Sequence, residues 1–116
     1  MKFLKEYEKL KAELEKRGHK IILPEPDECY KNEQNPKRKA MEDFNRHLLE
    51  SDAVLVGNFH KEDKQNYIGI NAIMEIGMAF NRNKKIFILN NIPKGYEDEL
   101  ENIGAVILSG DLSKIK

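Results

Sequence analysis

Three short apolar runs, Ala53-Val54-Leu55-Val56, Lys85-Ile86-Phe87-Ile88-Leu89 and Ala105-Val106-Ile107-Leu108, constrain this chain most, because each follows a stretch of helical periodicity. Runs with almost no polar interruption suit strands covered on both faces, as in a parallel sheet. Parallel neighbours need crossover connections, and the intervening helices supply them.

Upstream, Phe3, Tyr7, Leu10 and Leu14 recur three or four apart over Lys2 to Arg17, which predicts an amphipathic helix capped by Gly18. Lys20-Ile21-Ile22-Leu23, stopped by Pro24 and Pro26, reads as another strand. Asn35-Pro36 reads as a cap and first helical residue of a helix running to about Glu50. A helix from Ala72, capped by Asn71, follows a polar loop over Phe59 to Gly69, and a short acidic helix near Tyr96 to Glu101 precedes the last strand.

The order is α-β-α-β-α-β-α-β. It predicts one α/β domain over residues 1–116, a three-layer sandwich with a mostly parallel four-stranded sheet. A doubly wound domain normally opens with a strand, and this chain opens with a helix. Either a strand is missing or the sheet completes itself differently, for example against another subunit.

The 116 residues suffice for one core. Twenty basic residues against 20 acidic leave no net charge, so neither nucleic acid nor an anionic membrane is the expected partner. There is no signal peptide and no run of eighteen apolar residues, which points to a cytoplasmic protein. The single cysteine, Cys29, and the scattered His19, His47 and His60 compose no metal-ligand spacing. No dinucleotide, P-loop or esterase motif occurs, and no cofactor is expected.

Chemistry in such a sheet belongs beyond the carboxyl ends of the strands. The loops arriving there carry Tyr30, Asn58, His60, Asp63, Tyr67, Gly69 and Asn71. Glu75 stands about one turn into the next helix, on the flank of an apolar stripe of Ala72, Ile73, Ile76, Ala79 and Phe80. An ionised Glu75 could act as a nucleophile, a partly buried one as a general acid or base, and a plain first-turn glutamate would only complement the helix dipole. Tyr67 is either a loop anchor or a ring for base stacking, and Gly77 would serve close packing of helix on sheet. Asp52 precedes its strand, at the other end of the sheet, where it would hold the helix–strand junction.

Asp52-Ala53-Val54-Leu55-Val56-Gly57-Asn58, then Gly69-Ile70-Asn71-Ala72 leading into Glu75-Ile76-Gly77-Met78-Ala79, resembles the nucleoside 2-deoxyribosyltransferase family and its nucleotide N-glycoside hydrolase relatives. Glu15-Lys16-Arg17-Gly18-His19 with the following strand, and Lys84 to Leu89, extend the resemblance to about three quarters of the chain. The resemblance implies a flavodoxin-like (Rossmann-like) sheet and cleavage or transfer at the N-glycosidic bond of a nucleoside or nucleotide. It makes Glu75 the nucleophile that attacks the anomeric carbon. Asn58, Gly69 and Asn71 would lie near the sugar, and Tyr67 and Tyr30 would shape the base site. The departure is the family's first strand and glycine-containing loop, which this sequence lacks. A homodimer or higher homo-oligomer is expected, because the short chain leaves its sheet incomplete.

Overall fold

The computed structural model describes residues 4–23, 30–60 and 65–115. Pro24, Pro26, Cys29 and Asp63, which entered the sequence reading, lie outside them. The chain forms two compact units, Met1–Leu49 and Glu50–Lys116.

The first unit carries two helices, α1 (Leu4–Lys16) and α2 (Pro36–Leu49). Pro36 does open α2, and the Asn35 carbonyl accepts from the Lys39 N–H at 3.0 Å. Between the helices, the expected strand at residues 20–23 does not form among the described residues. Its side chains still alternate, Lys20 and Ile22 exposed, Ile21 and Leu23 half-buried. The composition of a strand is present but no neighbour supplies the ladder, and a strand exists only as one partner of a pair.

Asp43 is the buried charge of this unit. Its carboxylate accepts from the Tyr30 hydroxyl at 2.8 Å and from Arg46 Nη1 at 2.9 Å, with Lys39 Nζ at 3.4 Å. The Tyr30 hydroxyl, then Arg46 and Lys39, hold the carboxyl below its ordinary value of 3.8, against burial, which works the other way. A depressed pKa contributes stability above the unfolded-state value that is lost as pH falls through the folded one. Asp43→Asn is therefore expected to unfold at lower urea than the parent at pH 7. The gap should close on acidification below about 3.8, the reference value; an equal gap at pH 7 and pH 2.5 would refute the assignment.

The second unit is an α/β unit in the order β1 (Ala53–Val56), α3 (Ile70–Asn81), β2 (Lys85–Ile88), α4 (Glu97–Asn102), β3 (Val106–Ile107), followed by a single 3-10 turn at Leu112–Lys114. All pairings are parallel, and the sheet runs β1-β2-β3. The described sheet therefore has three strands, not four. Val56 sits opposite Ile88, and Phe87 opposite Val106. The core consists of Ile68, Ile76, Ala79, Ile86, Phe87, Ile88, Leu89, Leu100 and Leu108. Burying aliphatic side chains of this kind contributes about 1.5–3 kcal/mol each.

Three helices end alike. After α1, α3 and α4 the chain enters the left-handed region at Gly18 (φ +91), Asn83 (φ +59) and Gly104 (φ +84). The next N–H then reaches back to the helix: His19 to Leu14, Lys84 to Ala79, Ala105 to Leu100, at 3.0–3.2 Å. This is the Schellman stop, which satisfies carbonyls otherwise left over at a helix end.

Candidate functional site

The site is built where β1 and β2 end. Val56 and Ile88 are register partners, and two residues beyond each stands an asparagine, Asn58 and Asn90. Asn58 is fully buried. Its Nδ2 donates to the carbonyls of Asn90 (3.2 Å) and Asn91 (2.9 Å), while its Oδ1 accepts from the Asn90 N–H at 2.8 Å. Asn90 reciprocates, its Nδ2 donating to the Asn58 carbonyl at 3.1 Å. Farther along the rim, Ser109 Oγ donates to Asn91 Oδ1 at 3.1 Å, and the Gly110 N–H donates to the Leu89 carbonyl at 2.8 Å.

The sequence reading set Asn58 near a sugar. The structure occupies both its amide hydrogens with backbone carbonyls, so its role in the fold is a clamp between strand ends. Asn90 and Asn91 were not singled out from the sequence. The signal was available: an asparagine at the same offset beyond each of two neighbouring strands.

The loop between β1 and α3 is pinned at its base, the Tyr67 N–H donating to the Phe59 carbonyl at 3.0 Å. Ile68 anchors it in the core. The Tyr67 ring lies over Gly69, where an added Cβ would come within 3.3 Å of its hydroxyl oxygen. Tyr67 thus holds the base of the loop through its backbone, and a side chain at Gly69 would press on its ring. Tyr30 belongs to the first unit, with its hydroxyl donated to Asp43.

α3 begins earlier than its sequence suggested. Gly69 is the N-cap in extended conformation, with φ −78 and ψ 170, and Ile70 is the first helical residue. Asn71 is the second residue of the helix and exposed, not its cap. The extended backbone that the N-cap needs is already present at Gly69, beneath the tyrosine ring.

Glu75 consequently falls in the second turn, and the first turn holds no acidic residue. Dipole complementation fades beyond the first turn, so it does not account for a glutamate here. Five residues at 1.5 Å each place its Cα roughly 7–8 Å below the helix start, and the Cα–Cβ bond tilts back towards that start. Its neighbours on the sheet-facing side are Ala72, Ile76 and Ala79, and α3 packs on β1 and β2. Burial pushes the Glu75 carboxyl up from 4.5 to about 7. Among the described residues no hydrogen bond or ion pair reaches it.

Gly77 does not pack on the sheet as expected. It is exposed, and a Cβ there would meet nothing within 4 Å. Ile73 and Phe80, assigned to the buried stripe, are 37% and 53% exposed. α3 is apolar nearly all round, so its periodicity gave the arc towards the sheet only approximately.

Among the described residues, no group of three or more His, Cys, Asp or Glu side chains is placed to hold a metal ion, and no helix is long and apolar enough to cross a membrane. His60 is exposed, and Asp52 precedes β1, its carbonyl accepting from the Lys85 N–H at 3.3 Å. One concavity among the described residues is lined by Asn35, Pro36, Lys37 and Arg38 in the first unit. Set against known proteins, the chain matches no family model, no curated sequence and no solved structure.

Proposed function

We propose that the protein cleaves or transfers the N-glycosidic bond of a nucleoside or nucleotide with Glu75 as nucleophile, on a flavodoxin-like fold similar to that of the nucleoside 2-deoxyribosyltransferases. The observation that carries this reading is a partly buried carboxylate, without a described partner, in the second turn of an apolar helix at the carboxyl end of a parallel sheet. Asp43, by contrast, is paired with Tyr30, Arg46 and Lys39.

In the proposed step the Glu75 carboxylate attacks the anomeric carbon, and an ester bond forms as the carbon–nitrogen bond breaks. The base leaves with the electron pair and takes up a proton. Water, or the nitrogen of a second base, then attacks the same carbon and releases the carboxylate. Desolvation helps the first step, since a weakly hydrated carboxylate is the stronger nucleophile. Asn71, exposed in the first turn, is free to turn to the sugar hydroxyls in this scheme.

The alternative is a protein that keeps the fold for nucleotide binding or for structural assembly, without turnover. What favours it is Asn58, a polar group expected at the sugar whose amide hydrogens are both engaged by backbone carbonyls. The intact chain incubated with a panel of nucleosides and 5′-nucleotides separates the two readings. Free base detected by chromatography, and lost in Glu75→Ala, supports the enzyme. Saturable binding with no base released by either protein would sink it in favour of the alternative.

A further inference from the structure

Among the described residues, one side of α3 is unpartnered and apolar. At about 100° per residue, Ile70, Ile73, Met74, Gly77 and Phe80 fall on one stripe. The four side chains are 79%, 37%, 47% and 53% exposed. Elsewhere the chain solvates its helix surfaces with charge: α1 and α2 carry Lys, Arg and Glu on theirs. The stripe on α3 has none, and the helix's one charged residue, Glu75, lies about 160° round from its centre. A contiguous exposed apolar face of this kind marks an interaction surface.

We propose that this face joins two copies of the chain, with α3 of one copy crossing α3 of the other at Gly77. Three features select a second copy as the occupant. The stripe has no formal charge, so it gives a different partner no sign to read, yet it is compatible with itself across a two-fold axis. Gly77 sits midway along it, and open space beside its Cα allows two helix backbones to approach closely. The third is area. Exposed fractions of side chains in the 150–250 Å² range amount to roughly 400 Å² per copy. Two copies with their rims, including exposed Asn71 and Asn81, then come near the ~1,000 Å² that a specific interface clears. The surface does not depend on the chemistry of Glu75, which stays clear of the contact on the other flank of the helix.

Sedimentation velocity on the full chain from about 1 to 100 μM tests this, a range that brackets the affinities of small interfaces. A species of twice the 13.5 kDa chain mass is expected to fill in with concentration. Ile70→Lys with Met74→Lys sets like charges against each other across the axis and should weaken the dimer on the order of 100-fold. Gly77→Gln should do the same by keeping the helices apart. It also replaces glycine with a better helix former, so its circular dichroism and thermal melt at low concentration should match or exceed the parent's. A parent monomeric throughout, a larger open-ended assembly, or folded variants that dimerise like the parent would each overturn the proposal.

Discussion

Glu75→Gln is expected to reduce base release by about 10³-fold or more while making the protein more stable, a pairing that a structural glutamate would not produce. The loss of activity follows from removing the proposed nucleophile, since an amide oxygen does not form and release a glycosyl ester at a useful rate. The gain in stability follows from linkage. The folded-state pKa is raised from 4.5 to about 7, so below 4.5 the side chain is neutral in both states and contributes nothing. Between those values the unfolded chain ionises first, and stability falls as pH rises. Above about 7 both states are ionised and the full desolvation penalty is present, on the order of 1–3 kcal/mol once solvent screening is allowed for. Glutamine removes that penalty. Melts at pH 8 should therefore show Glu75→Gln ahead of the parent by several degrees, and melts at pH 4 should show no difference. Equal melts at both values, or a less stable variant at pH 8, would mean that Glu75 is paired and not the exposed-to-ligand carboxylate of the proposed mechanism.

Asn58→Ala is expected to cost about 1–3 kcal/mol, the second large effect. The fully buried amide satisfies the Asn90 N–H and the carbonyls of Asn90 and Asn91. Removing it takes this partner from half-buried Asn90 and from the exposed Asn91 carbonyl, which water can re-solvate, at about 1–3 kcal/mol for a group left unsatisfied. Asn58→Asp preserves the volume but turns an oxygen towards two carbonyl oxygens, so it should be no better tolerated. Urea denaturation gives the free energies, and hydrogen exchange at the Asn90 amide reports the clamp directly. A cost below 1 kcal/mol with unchanged exchange would show that the strand ends hold without it. Because the clamp fixes the rim on which the helix of Glu75 stands, its loosening should also lower any base-release activity.

The sheet was legible in its middle and not at its margin. Ala53–Val56 and Lys85–Ile88 are strands with the predicted limits to within one residue, since uninterrupted apolar runs of that length have few other uses. Residues 20–23 have the same composition and form no strand, because pairing is a property of two segments and the sequence of one does not reveal the other. β3 shrinks to Val106–Ile107 for a related reason: the Leu108 N–H still reaches Ile88, but the regular ladder ends there. At the site, Glu75 was legible as the one charge in an apolar helix. Asn71 was misplaced as a cap, and the clamp formed by Asn58 was not foreseen, because asparagine serves caps, ligands and backbone clamps with the same two atoms. Asn83 was missed as a helix stop because its left-handed backbone is carried by a residue type that usually has other uses, whereas Gly18 announced itself.

The three matching helix stops give the chain one repeated step: a helix, a left-handed residue, one or two connecting residues and an apolar run. Ile86 after α3 and Val106 after α4 enter the sheet after that step, and the same step precedes Ile21 after α1. Among the described residues β1 is an edge strand, so its outer backbone groups are the ones open to pairing by a further strand.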